Sequence, residues 1–443
     1  MSLDGKPGYR ETEAGWIPSE WKASKLGEHV IKVGSGITPK GGSESYLSSG
    51  VPLIRSQNVL WGKFSLKEVA HISNDQHERM ANSALQPLDV LLNITGASIG
   101  RCAVLPVGFG EGNVNQHVCI IRPTDSLNSM FLSYCLNSPF GQGQISKLQA
   151  GGNREGLNFQ QIRGFTVALP SLPEQQKIAS ILTAVDDKLD VIARQIAATQ
   201  SLKQGLMQTL FSRGVGTQDA TGRWQAHTEF KDSEFGEIPI GWECRPIGSI
   251  AKIVNGNAFK SNLFNDTGIP IIRISNIKPD FTVRIESSVC YEEDLKLKRF
   301  MVMSGDVLIA MSGATTGKVG RYYGEEFCYL NQRVGRFDVD PQHASSDFLF
   351  HFLRESTTQT LLLATAAGGA QPNISSGNIE SIRLRVPPLN EQTKIAEILN
   401  ALDSKLECFK SKEMHYKNLK RGLMQKLLTG EWRVKLDSAA SAA

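Results

Sequence analysis

The sequence predicts an α/β chain: two tandem globular domains, each followed by one long helix, with the two helices forming an antiparallel coiled coil of pseudo-two-fold symmetry. Three observations predict it. The chain repeats itself once, at an offset of about 217 residues, well beyond the usual solenoid period. Each copy opens with glycine-rich sequence that carries short apolar runs, the pattern of strands. Each copy closes with about 40 residues that lack proline beyond the first turn and repeat apolar residues alternately at four and three.

The repeat can be followed along the chain. Gly15-Trp16-Ile17-Pro18-Ser19-Glu20-Trp21 matches Gly236-Glu237-Ile238-Pro239-Ile240-Gly241-Trp242, and Gly50-Val51-Pro52-Leu53-Ile54-Arg55 matches Gly268-Ile269-Pro270-Ile271-Ile272-Arg273. Asn58 then matches Asn276, Asp89-Val90-Leu91 matches Asp306-Val307-Leu308, and Gly96 with Gly100 matches Gly313 with Gly317. Asn115-Gln116 returns as Asn331-Gln332, and Gly151-Gly152 as Gly368-Gly369. The strongest block, Leu172-Pro173-Glu174-Gln175 through Lys177-Ile178-Ala179, is echoed by Leu389-Asn390-Glu391-Gln392 through Lys394-Ile395-Ala396. Within the first copy, Val51–Arg55, Val90–Ile94, Val118–Ile121 and Phe165–Leu169 are runs of strand length bounded by Gly, Pro and Asn. The helical stretch that follows places Ile178, Leu182, Val185, Leu189 and Ile192 on one seam; the second copy places Ile395, Leu399, Leu402, Leu406 and Phe409 there before Glu413 breaks it. A helix of about 38 residues is roughly 57 Å long. That outruns a domain whose radius of gyration is about 15 Å. The length therefore favours pairing of the two helices over each seam packing only on its own domain.

Composition narrows the class. With 443 residues, 40% hydrophobic and 21% charged, the chain buries sizeable cores in two or more domains. No stretch approaches the roughly 18 apolar residues of a membrane span, and residues 1–10 lack a secretory apolar segment. The cysteines (Cys102, Cys119, Cys135, Cys244, Cys290, Cys328 and Cys408) form no Cys-x-x-Cys pair, and the histidines are dispersed. This fits reduced cytoplasmic thiols and gives no metal-ligand spacing. A net charge of +4 permits nucleic-acid binding without arguing for it.

Taken together, Gly-x-Ile-Pro-x-x-Trp opening each half, Pro-Leu/Ile-Ile-Arg-x-x-Asn, Asp-Val-Leu before a glycine-rich loop, and Pro-x-x-Glu-Gln-x-x-Ile-Ala-x-x-Leu opening a long helix closely resemble the specificity subunits of type I restriction-modification systems. The resemblance covers nearly the whole chain, twice, in the family's order. It implies a target recognition domain at 1–170, a helical spacer at 171–213, a second recognition domain at 214–387 and a second spacer at 388–430, with 431–443 as a tail. It also implies that each domain reads one half of a split, asymmetric site on double-stranded DNA. The paired helices would act as a spacer and as the dock for two methyltransferase subunits, joined by motor-nuclease restriction subunits. S-adenosylmethionine, ATP and magnesium are expected on those partners, and no cofactor in this chain. A coiled-coil scaffold whose globular ends bind proteins is the alternative class.

The residues themselves offer little catalysis. Gly313-Ala314-Thr315-Thr316-Gly317-Lys318 resembles a phosphate-binding loop, but it is one residue short between its glycines and has Val319 where Ser or Thr belongs. Pro387-Pro388 sits between Val386 and Leu389, so it reads as the start of a helix rather than a methyltransferase motif.

Given the implied role, the duplication sorts candidate DNA contacts. Residues identical in both copies cannot alone distinguish unlike half-sites, so they belong to the framework or hold phosphates. Arg55 with Asn58 and Arg273 with Asn276 are such pairs, either as phosphate contacts or as turn-closing groups. Asn115-Gln116 and Asn331-Gln332 either contact adenine edges or satisfy buried backbone. Base discrimination is expected from divergent polar segments. These supply Lys40, Lys63, Asn153 and Arg154 in the first copy, and Lys260, Thr316, Lys318, Gln371 and Asn373 in the second.

Overall fold

The structure is a computed structural model that describes residues 5, 7–149, 156–366 and 373–436. It divides into two compact units, Met1–Ala193 with Ser411–Ala443, and Arg194–Lys410.

In the first unit the two larger sheets are built from β1 (Val30–Ser35), β2 (Val51–Ile54), β3 (Ala70–Ile72), β4 (Val90–Asn93), β5 (Cys102–Val104), β6 (Asn113–Val114) and β7 (Val118–Pro123), beside short two-stranded pairs such as Lys22–Lys25 with Thr166–Leu169. An antiparallel sheet of order β1-β7-β4-β5 is the centrepiece. Beside it, β2 pairs antiparallel with β3 and parallel with β6. The central strand reads Val90-Leu91-Leu92 without alternation because the sheet is buried on both faces. Val90 and Leu92 join the core of Trp21, Leu26, Phe131, Ile162 and Phe165. Leu91, Ala103 and Ile120 face Ile54, Val59 and Val114.

The second unit repeats the plan. Its two larger sheets are built from β8 (Ala251–Asn255), β9 (Ile269–Ile272), β10 (Cys290–Tyr291), β11 (Met301–Val302), β12 (Val307–Ala310), β13 (Val319–Arg321), β14 (Cys328–Leu330) and β15 (Val334–Val339), beside short two-stranded pairs such as Glu243–Pro246 with Arg383–Val386. The main sheet has the order β8-β15-β12-β13, and the smaller one β10-β9-β14-β11, again with one parallel pair, β9 with β14.

The long helices run Leu172–Arg213 and Leu389–Leu427, as the proline-free stretches predict. Their first turns do not serve a free seam. Ile178 and Leu182 lie in the first unit's core together with Leu427 and Leu428 from the far end of the C-terminal helix. Ile395 and Leu399 lie in the second unit's core together with Leu210 and Phe211. Farther along, Val185, Ile192 and Leu406 are buried, while Leu189, Leu402 and Phe409 are half-buried. The helix segments within each unit run antiparallel. In the first, Glu174 meets Arg433 and Asp186 meets Lys420; in the second, Glu391 meets the backbone of Val215 and Asp403 meets Lys203. The division into compact units falls near the middle of each long helix.

The repeated Glu-Gln motif does the docking. Gln175 accepts from the Asn128 N–H at 2.9 Å and donates to Ser126 and Pro170 carbonyls. Gln392 repeats this with Ser345 at 3.0 Å and the His343 and Pro387 carbonyls. Glu174 is buried against the Trp21 indole N–H and the Arg433 guanidinium. Glu391 takes the Trp242 indole, the Val215 and Gly216 amides and His227 instead. Each carboxylate is thus matched by several donors, which its burial requires.

Candidate nucleic-acid interface

In the first unit three loops meet around a cleft of about 450 Å³, lined among others by Ser56, Gln57, Thr95, Ser98, Arg101 and His117. The 3-10 turn Ser56–Asn58 follows β2. Asn58, fully buried, accepts from the Arg55 N–H at 3.1 Å and donates to the Ser65 and Lys67 carbonyls. The loop after β4 turns at Gly96 and Gly100, whose φ values of 71° and 85° are open to glycine at little cost. Gly100 N–H bonds the Asn93 carbonyl at 2.9 Å and the Asn93 N–H returns to the Arg101 carbonyl at 2.9 Å, so the loop closes on its own strand. The buried Asn93 amide donates to Ser56 and Val59 carbonyls and ties the two loops together. The third loop joins β6 to β7. There Asn115 N–H bonds the Ile54 carbonyl at 3.0 Å, and the Asn115 side chain accepts from the His117 N–H at 3.0 Å.

The second unit builds the same frame. Asn276 accepts from the Arg273 N–H at 2.8 Å and donates to the Arg284 carbonyl and Ser288 hydroxyl. Gly317 N–H bonds the Ala310 carbonyl at 2.8 Å, and Ala310 N–H the Lys318 carbonyl at 2.8 Å. Asn331 N–H bonds the Ile272 carbonyl at 3.1 Å and its side chain accepts from the Arg333 N–H at 3.4 Å. The Ser312 and Thr315 hydroxyl oxygens are buried with no hydrogen-bond partner among the described residues.

The predicted residues divide accordingly. Asn58 and Asn276 close turns, with their amides committed to the protein's own chain, while the Asn115 and Asn331 side-chain oxygens accept from the His117 and Arg333 N–H groups. Arg55 lies over the Tyr46 ring at 5.1 Å and donates to the Glu68 carbonyl, while its Nε and that of Arg273 are buried without partners among the described residues. Lys63 is paired with Asp190 on the central helix at 2.8 Å. Thr316 is buried and donates to the Gly313 carbonyl at 2.7 Å. Lys40, Lys260 and Asn373 are exposed, and Lys318 is half-buried. Asn153, Arg154 and Gln371 lie outside the described residues.

Sequence reasoning passed over Arg101, His117 and Arg333. The signal was present: Arg101 is the counterpart of Lys318, and His117 and Arg333 each follow the repeated Asn-Gln. The first unit's cleft offers hydroxyl, amide and cationic groups, the donors that phosphate oxygens and base edges take. Among the described residues no group of three His, Cys, Asp or Glu side chains is placed to hold a metal ion. No helix there is long and apolar enough to cross a membrane. Burial pushes the Cys102 and Cys119 thiols up to about 12, which leaves them unreactive.

The model of the type I restriction modification DNA specificity domain matches the chain at residues 18–199 and again at 239–414. The type I restriction enzyme MjaVIII specificity subunit of Methanocaldococcus jannaschii is 26% identical over 440 residues, spanning 98% of both chains. The EcoKI specificity subunit of Escherichia coli K12 is 21% identical, spanning 95% of this chain and 92% of its own. A crystal structure of the type I restriction-modification S subunit from M. genitalium superposes with a TM-score of 0.58 at 15% identity, covering 92% of this chain and 96% of that one, a likeness of fold.

Proposed function

The chain belongs to the type I restriction-modification DNA specificity family, carrying its domain twice, and from this premise we propose that it directs methylation and cleavage by reading a split DNA site without catalysing either. The first domain reads one half of an asymmetric duplex sequence and the second domain the other half. Two adenine methyltransferase subunits and the motor-nuclease subunits dock on it in the cytoplasm and carry S-adenosylmethionine, ATP and magnesium.

The observation that supports this reading is the duplicated frame. The turn-closing bonds of the asparagines and the glycine loops recur in both units, while the side chains around them differ, as with His117 and Arg333. A shared scaffold with unlike rims suits two unlike half-sites at one gap. Lys318 and Arg101, cations in both copies, suit phosphate contacts, which position without specifying. Lys40, Lys260 and Asn373 are exposed and available to DNA, whereas Lys63 first has to leave Asp190.

Coexpression with the methyltransferase subunit, followed by genome-wide mapping of methylated adenines, tests the proposal. A motif of two different halves at a fixed gap is expected. A continuous or palindromic motif, or methylation independent of this chain, would overturn it.

A further inference from the structure

The end of the central strand in each main sheet anchors two loops side by side. In the first unit Asn93 N–H holds the Arg101 carbonyl, and the next residue, Ile94, holds the His117 carbonyl at 3.0 Å. In the second, Ala310 N–H holds the Lys318 carbonyl and Met311 N–H the Arg333 carbonyl at 2.9 Å. The residues His117 and Arg333 are fixed further by their own N–H groups bonded to the preceding asparagine side chains, at 3.0 and 3.4 Å. The two backbones therefore deliver their side chains from equivalent places.

What is delivered differs. The His117 ring is clamped, with Nδ1 at 2.6 Å from the Thr95 hydroxyl and Nε2 at 3.2 Å from the Gln116 amide. Arg333 is exposed, and its guanidinium makes no hydrogen bond or ion pair among the described residues. The neighbouring loop carries a cation in both units, Arg101 and Lys318. A position filled by a cation in both copies matches a contact that every sequence offers. A position that changes from a clamped imidazole to a free planar guanidinium matches one that tells sequences apart.

We propose that Arg333 is a base-reading residue of the second domain, recognising guanine, and that His117 occupies the corresponding reading position of the first. Arg101 and Lys318 anchor phosphates beside them. The guanidinium fork presents two parallel N–H donors, which match the O6 and N7 acceptors of guanine in the major groove; a lysine ammonium at that place cannot reproduce both. The proposal rests on the reading of the chain as a DNA specificity subunit.

The test uses the full chain assembled with its methyltransferase subunits, with methylation mapping and DNA binding measured at several salt concentrations. Arg333→Ala and Arg333→Lys should each relax one base position in one half of the motif, with discrimination there falling about tenfold, and leave the other half unchanged. Lys318→Ala should weaken binding to all sequences alike and lessen the salt slope by about one. His117→Arg should bring a guanine preference into the other half. If the wild type yields a two-part motif but Arg333→Ala leaves it intact, the assignment of Arg333 fails and the functional reading stands. If Arg333→Lys restores what Arg333→Ala loses, and the loss is uniform across sequences, Arg333 is a phosphate contact and the assignment fails as well. A wild type with no two-part motif removes the functional reading itself.

Discussion

The Lys420 amine lies 2.7 Å from the Asp186 carboxylate across two antiparallel helix segments, and Lys203 with Asp403 makes the counterpart pair in the other unit. The two pairs sit in different surroundings. Asp186 also accepts from the Tyr134 hydroxyl at 2.9 Å, and Lys420 lies over the Tyr134 ring. Asp403 takes a second cation, Arg354 at 2.7 Å, and the Lys203 side chain is only 9% exposed. Removal of Asp403 therefore leaves two enclosed cations facing each other. Asp403→Ala should cost about 3 kcal/mol or more, against about 1 kcal/mol for Asp186→Ala, whose ion pair is nearer solvent. Urea unfolding curves measure both; equal losses would contradict the difference in environment.

Acid should act on the second unit in two steps. His351 is fully buried, with Nε2 at 2.8 Å from the Asn400 side-chain oxygen and Nδ1 without a partner among the described residues. Burial pushes its pKa from 6.5 down to about 4, so the folded unit holds the ring neutral while the unfolded chain protonates it. The folded state then binds fewer protons, and stability falls as pH drops from 6.5 toward 4, by up to about 3 kcal/mol in all. The second step lies lower. Burial works against the Asp403 carboxylate, but Arg354 and Lys203 together hold it below the ordinary 3.8, so its contribution is present above that value and lost as pH falls through the depressed one. His351→Gln should flatten the slope between pH 6.5 and 4 and leave the lower step in place, as followed by thermal unfolding across pH.

Asn276 has no spare donor for DNA, so its loss should be structural. Asn276→Ala strips the Arg273 N–H, the Arg284 carbonyl and the Ser288 hydroxyl of their partner, and should cost about 1–3 kcal/mol. Where folded protein survives, the base preferences at both halves should match the wild type. Methylation mapping at a permissive temperature checks this, and a changed motif at undiminished stability would place Asn276 at the DNA after all.

Much of this architecture was legible in the residues. The four apolar runs became strands, with Val118–Ile121 extending to Pro123, and the proline-free stretches became helices of 42 and 39 residues. The four-three periodicity gave the buried face of each helix without saying what buries it. Ile178 and Leu182 satisfy their domain's core, and nothing in spacing separates that from a partner helix. Polar residues were less decisive. For Asn58 and Asn276 the sequence leaves phosphate contact and turn closure open, and both amides donate to carbonyls several residues downstream. Arg101, His117 and Arg333 carry no periodic signal. Arg101 is set beside His117, and Lys318 beside Arg333 in the other unit, because in each unit two loops bond to consecutive residues at one strand end.

Gly214 follows the central helix at φ 72°, and a β-carbon there would lie 2.1 Å from the Glu391 carboxylate and 2.7 Å from the Trp242 ring. Gly214→Ala should thus pay twice, in backbone strain and in displacing the carboxylate that collects the Trp242, His227 and amide donors. A loss of about 3 kcal/mol or more is expected, with quenched or shifted tryptophan emission reporting the displaced indole. Gly205→Ala, where a β-carbon meets open space in mid-helix, is the contrast and should be neutral to mildly stabilising.

The lid on the first domain's core comes from Leu427, Leu428 and Gly430, the last of these against Pro18 and Trp21. On the ribosome those residues are made only after the second unit. The opening domain has to wait, with the pocket around Ile17 and Trp21 unsealed, while more than 200 residues of the rest are polymerised. Messages cut short after the second domain would release a first domain with its apolar interior uncovered, a ready target for chaperones and proteases.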